Sequence, residues 1–204
     1  MKNIRNINNF NEIALFSLFA TSYIPLFILI GLKQTLVNIS FLDWGGLSIE
    51  AIVICLQKFG LTILVFLISV FGLFGCKFIF NNLEKDSING DNVTVINVNN
   101  KNSESIGYIA TYIIPFLFQN VNDWYELFAF AFLMIIIYRI YINSTMILIN
   151  PVLSLKYSIF EIEYKQQNDK IKNAFAISKE KYLTEDSIIK IYEIGFKLFY
   201  VKCK

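Results

Sequence analysis

The chain contains no histidine. That removes the Ser-His-Asp and Cys-His arrangements that activate nucleophiles, together with His-containing zinc sites. Its three cysteines, Cys55, Cys76 and Cys203, form no C-x-x-C pair, so neither a zinc ribbon nor a thioredoxin-type centre is expected. Cys55 and Cys76 lie in apolar surroundings and read as small hydrophobes, not as half of a disulfide framework. Charge is scarce: 17% of residues are charged, against about 25% in ordinary soluble proteins. A net charge of +2 supplies no global basic field for nucleic acid, and no direct nucleic-acid binding is expected. No phosphate loop, dinucleotide fingerprint or nucleophile elbow occurs. The sequence therefore offers no catalytic, cofactor-binding or metal-ligating residues. No enzymatic activity and no cofactor are expected.

Apolar residues are plentiful. They make up 55% of the 204 residues, and the mean hydropathy is +0.53. This balance points to a membrane protein, with the lipid bilayer as its first partner. Residues 13–32 are almost uncharged and follow Lys2 and Arg5. That run is longer than the core of a signal peptide and ends without a small-residue cleavage pattern, so an uncleaved first span is expected, kinked at Pro25. A second span covers 59–80, bounded by Lys58 and Lys77, and 49–57 either extends it outward or lies along the interface. The third, 106–118, is only about 20 Å long as a helix and needs flanking residues or a thinned bilayer. The fourth starts near Trp124, runs through 127–138 toward 149, and stops at Asn150 and Pro151.

The polar segments have a different pattern. Residues 81–103 are Asn-rich, with Asn89 and Gly90 as a turn signal, and Val93 and Val95 alternate with Thr94 in a strand-like run. In the tail, Phe160, Ile162 and Tyr164 share one face, opposite Glu161 and Glu163. That carboxylate pair reads as the wet side of a strand, not as an acid–base pair. Residues 173–179 and 188–202 also favour strand, with Gly195 as a bulge or turn. Lys170, Lys172, Lys179 and Lys181 form a mildly basic solvated patch within reach of anionic lipid or a charged partner. Gly72 and Gly75 lack the spacing of a G-x-x-x-G helix-pairing motif.

The expected fold class is a membrane all-α protein, a four-transmembrane-helix bundle with a small cytoplasmic β-rich module. Its expected parts are two spans in 1–80, a cytoplasmic loop with a strand in 81–103, two spans in 104–150 and a cytoplasmic β-rich tail in 151–204. Lys and Arg collect in the N-terminal segment, around 81–103 and in the tail, whereas 119–126 has none. The positive-inside rule then puts both termini in the cytoplasm of a multi-pass inner-membrane protein. The 81–103 loop and the tail fall on one side and can form one module.

The third span, ESIGYIATYIIPFLF over 104–118, carries a polar stripe. Glu104, Tyr108, Thr111, Tyr112 and Pro115 share one helical face. Arg139, Asn143 and Asn150 share a face of the fourth. Polar groups cost free energy against lipid, so these residues are expected at an interface with another helix or subunit, in a homo-oligomer. The blander alternative is an Arg139 that snorkels to the headgroups beside a wet helix end. A stripe shared between copies lining a pore is the third.

The T-Y-x-x-P-F element at 111–116, and the run from Ile149 through Asn150 and Pro151 to Tyr164, resemble the KwaA family. KwaA proteins are the membrane subunits of the Kiwa anti-phage defence system. The resemblance implies an inner-membrane oligomer that senses infection and recruits and controls a cytoplasmic DNA-directed effector, KwaB. It carries over no catalytic residue. Tyr108, Thr111, Tyr112, Pro115, Asn150 and Pro151 would be structural elements of the membrane domain. Two other classes compete: an oligomeric ion channel or membrane-disrupting effector, and a membrane enzyme or transporter. The last would show inverted repeats, and none is seen.

Overall fold

The computed structural model describes residues 10–42, 46–102, 124–142, 150–166, 170–195 and 197–203. The first apolar stretch forms two helices, α1 (Glu12–Ser22) and α2 (Ile24–Val37), bent by 57° at Tyr23. Pro25 causes the break, because it lacks an N–H and its ring clashes with the preceding turn. Asn11 caps α1 by accepting from the Ile13 N–H.

The second stretch forms a single helix, α3 (Ile49–Asp86), of 38 residues. At 1.5 Å per residue it is about 57 Å long, nearly twice the bilayer's hydrocarbon thickness. Ser48 caps its start by accepting from the Ala51 N–H. Its buried residues Val65, Gly72, Cys76, Phe80 and Leu83 lie along one stripe. Phe66, Phe74 and Phe78 face away and are exposed. A 3-10 turn, Ser87–Asn89, links α3 to β1 (Asp91–Asn100). Gly90 is required there, because a Cβ would lie 2.5 Å from the Ile191 carbonyl oxygen.

Among the described residues two more helices follow, α4 (Trp124–Ile142) and the single turn α5 (Pro151–Ser154). The tail supplies β2 (Ser158–Lys165), β3 (Ile171–Ser178), β4 (Ile188–Gly195) and β5 (Leu198–Cys203). The five strands close into a barrel in the order β1-β2-β3-β5-β4. β1 pairs antiparallel with both β2 and β4, so the strand near Thr94 does complete the tail module. β3 and β5 run parallel, an arrangement no hairpin can produce. The register between β4 and β5 shifts at Glu193/Gly195, the bulge Gly195 suggested.

The interior is apolar: Phe160 and Ile162 of β2 are 2% and 0% exposed, against Val95, Ala176, Ile189 and Val201 from the other strands. The period-two pattern thus names the inward face of β2 correctly.

The expected all-α four-span class is overturned. A closed five-stranded barrel is a principal layer of the fold, not an appendage. Among the described residues only Ile49–Asn89 and Tyr125–Ile142 are each long and apolar enough to cross a membrane, or three spans if the bent α1–α2 pair counts as one. Pro25 is the physical reason that the first stretch is not one straight helix. Much of the tail's apolar content fills the barrel instead of facing lipid. The expected third span, 106–118, lies outside the described residues.

Candidate functional interface

The helices and the barrel share one continuous apolar cluster. It runs from Leu18 and Phe19 on α1, through Cys76, Phe80 and Leu83 on α3, to Ile159, Ile177 and Tyr200 on the barrel's outer face. The interface is built in three layers.

The lowest is the α1–α3 crossing. A Cβ at Gly72 would sit 3.0 Å from the Ala20 Cβ, and one at Gly75 would sit 2.6 Å from the Ser17 Cβ. The two helices touch backbone to backbone, which the missing side chains permit. Ser17 and Thr21 on the facing side are buried, and each hydroxyl donates to the carbonyl four residues earlier, at 2.8 and 2.7 Å. These polar groups are therefore satisfied within their own helix. A second polar contact joins α2 to α3. The Gln34 Oε1 accepts from the Thr62 N–H at 2.7 Å and from its hydroxyl at 2.6 Å. The Asn38 Nδ2 donates to the Lys58 carbonyl at 3.3 Å.

The middle layer is aromatic and centred on Phe19. Its ring meets Tyr138 and Tyr141 of α4 edge-on, with centroids 5.0 and 5.4 Å apart. These contacts hold α4 against α1. Asn150 lies in the same region and is fully buried at 0% exposure. Its Oδ1 accepts from the Val152 and Leu153 N–H groups, capping α5, while its Nδ2 donates to the Leu18 carbonyl at 3.0 Å. One amide thus starts the turn that leads into β2 and ties it to the middle of α1.

The top layer joins α3 to the barrel. Phe80 stacks on Tyr157 with ring centroids 4.3 Å apart, and Tyr200 meets Tyr157 edge-on at 6.5 Å. Burial pushes the Tyr157 phenol up to about 12, aided by Tyr200, Glu84 and Cys76. Burial, then Glu84, also raises Tyr200. Beyond the stack, Lys179 at the end of β3 donates to Glu84 on the last turn of α3 at 2.6 Å. The Lys190 Nζ donates to the Ile88 carbonyl at 2.8 Å.

Of the residues expected at an interface, Asn150 is the one the structure places in this site. Arg139 lies on the exposed side of α4. Glu104, Tyr108, Thr111, Tyr112, Pro115 and Asn143 lie outside the described residues. Sequence reasoning passed over Gly72 and Gly75, Phe19 with Tyr138 and Tyr141, and Phe80 with Tyr157. The glycines were set aside for their spacing, although small residues on a facing helix matter more than an exact interval. Tyr138 and Tyr141, three apart on one helix face, were the available signal for the aromatic layer.

A family model described as anti-phage protein KwaA matches residues 14–200, a stretch that takes in every layer of this interface. The chain belongs to the KwaA family. It is also similar to the Kiwa protein KwaA of Escherichia coli O55:H7 (strain RM12579 / EPEC), being 29% identical over 138 residues, which cover 65% of this chain and 70% of the relative. No solved structure matches. Family membership makes this an anti-phage defence protein, in agreement with the resemblance carried by 104–165.

Proposed function

We propose that the chain is a non-enzymatic inner-membrane subunit that senses infection and holds a cytoplasmic effector through its barrel. The observation that carries this reading is α3. One unbroken helix runs from the apolar stretch into the Phe80–Tyr157 stack and the Glu84–Lys179 pair. A displacement of the helix in the membrane would therefore be felt by the barrel without an intervening hinge. The exposed lysines of the barrel support a cytoplasmic side for it under the positive-inside rule.

The barrel serves as a docking module, not as a nucleic-acid reader. In five-stranded Greek-key barrels that bind oligonucleotides, the face of strands two and three receives the ligand. Here Ile159 of β2 and Ile177 of β3 belong to the cluster that includes Phe80 and Leu83 of α3. The chain's own helix meets one end of that face, at Ile159 and Ile177, and DNA contact is assigned to the partner. KwaB, the effector of the Kiwa system, is that partner, and the membrane subunit works as a homo-oligomer.

Purification of the tagged chain in mild detergent, expressed with its neighbouring genes, tests this reading. Co-elution of a stoichiometric soluble protein with affinity for DNA is the expected result. A homo-oligomer that elutes alone and makes liposomes conductive would overturn it in favour of a channel.

A further inference from the structure

The end of α3 carries more positive charge than its own contacts need. Three lysines from separate segments converge on Glu84. Lys179 bonds it directly at 2.6 Å, Lys202 follows Val201, which pairs with Ser178 beside Lys179, and Lys156 lies over the ring of Tyr157, which stacks on Phe80 one turn before Glu84. All three ammonium-bearing residues are exposed. One carboxylate cannot neutralise three lysines. The sequence neighbours do not close the gap, because Lys85 accompanies Asp86 and Lys181 accompanies Glu180. Lys77, exposed on α3 one turn before Phe80, adds to the same side.

The position of this surplus matters as much as its sign. The apolar stretch of α3 ends at Phe80, followed by Asn81 and Asn82. Phe80 stacks on Tyr157, which sets the Leu155–Lys156 turn level with the last apolar turn of the helix. Leu155 is 87% exposed at that level, where an apolar side chain can reach the acyl-chain boundary. An exposed apolar side chain next to a lysine, in a group with two further lysines, matches a phospholipid: acyl chain at the leucine, phosphate at the ammonium groups.

We infer that Lys156, Lys179 and Lys202, gathered around Glu84, take the phosphate of an anionic phospholipid at the cytoplasmic boundary. The inference rests on the membrane reading above. The bound headgroup shares the lysines with Glu84, so lipid composition bears directly on the Glu84–Lys179 pair at the end of α3.

The test uses the full chain in detergent, offered equal phosphatidylglycerol and phosphatidylcholine, with retained lipid counted by native mass spectrometry. Preferential retention of phosphatidylglycerol is expected. Lys156→Gln and Lys202→Gln should each weaken the preference about fivefold, the effect of about 1 kcal/mol per surface charge. Glu84→Gln should strengthen it. Lys172→Gln, about 23 Å along β3 from Lys179, should leave it unchanged. Equal retention of the two lipids, or an unaltered preference in the Lys156/Lys202 double variant, would overturn the inference. So would loss of the retained lipid to millimolar inorganic phosphate, which would assign the lysines to a free anion. Extraction of the chain from membranes by alkaline carbonate would overturn the membrane reading itself, and a chain that resists carbonate but shows no lipid preference would overturn this inference alone.

Discussion

The barrel and the helical layer are built from the same apolar residue types, yet they place them in opposite ways. In the barrel, Phe160 and Ile162 are 2% and 0% exposed. On the helices, Phe74, Phe78 and Phe128 are 71%, 68% and 70% exposed. The barrel turns its apolar face inward and its Glu161 and Glu163 outward. The helical layer buries one seam, in which Leu18, Leu26 and Ile30 join the small and aromatic residues, and leaves many large apolar side chains outside. A water-soluble domain rarely exposes so continuous an apolar surface. The difference fits the surroundings proposed for each region: water around the barrel, lipid or further protein around the helices.

Four predictions test that contrast, beginning with the largest expected effect. Phe160→Ala removes an aromatic ring from a closed interior and should destabilise the barrel by about 3–5 kcal/mol. Phe74→Ala, on the exposed face of α3, should change the stability of the detergent-solubilised protein by less than about 1 kcal/mol. Denaturant melts of both variants check the pair. If Phe74→Ala costs as much as Phe160→Ala, the two regions do not differ as described.

Next is the seam itself. Asn150→Ala removes the bond to the Leu18 carbonyl and the cap of α5, and should cost about 1–3 kcal/mol. Gly75→Val forces a side chain against Ser17, at about 1–3 kcal/mol. Gly60→Ala is the matched control: no atom lies within 4 Å of its Cβ position, and a gain of up to about 1 kcal/mol in helix stability is expected. Thermal melts in one detergent rank all three.

The third prediction concerns pH. Free tyrosine titrates near pH 10, and burial raises Tyr157 to about 12 and shifts Tyr200 in the same direction. A raised folded-state value means that the fold favours the neutral phenol. The contribution is full below about pH 10 and is lost as pH rises through about 12. Melting temperature should be flat up to about pH 10 and then fall, and Tyr157→Phe with Tyr200→Phe should flatten that alkaline limb.

The smallest effect belongs to the ion pair. Glu84 and Lys179 have side chains 40% and 41% exposed. Lys179→Gln should therefore cost at most about 1 kcal/mol and lose its effect in high salt. A larger, salt-independent loss would show that the pair, and not the Phe80–Tyr157 stack, fastens the helix to the barrel.

Much of the barrel was legible because its strands follow a local rule. Phe160, Ile162 and Tyr164 alternate with charged residues, and the pleat turns alternation into an inward face. Closure was not legible. The β3–β5 and β1–β4 pairings join residues far apart in the chain, and no local pattern encodes them. The break at Pro25 could be read from one residue, because a missing N–H acts locally. Asn150 was only half legible. Its place before proline marked the end of a helix, but its bond to the Leu18 carbonyl spans 132 residues. Four spans were expected because every apolar run was counted alike, although 106–118 was too short by itself and the first run carried a break.

The proposed arrangement sets the exposed apolar face of α3 in lipid and the barrel in the cytoplasm. Single-cysteine labelling tests it most directly, with Phe74→Cys and Lys172→Cys placed separately in a background without native cysteines. The account predicts that a membrane-impermeant maleimide labels neither variant in intact cells. After permeabilisation it should label Lys172→Cys strongly and Phe74→Cys hardly at all. Labelling of Lys172→Cys in intact cells, or equal labelling of both after permeabilisation, would contradict it.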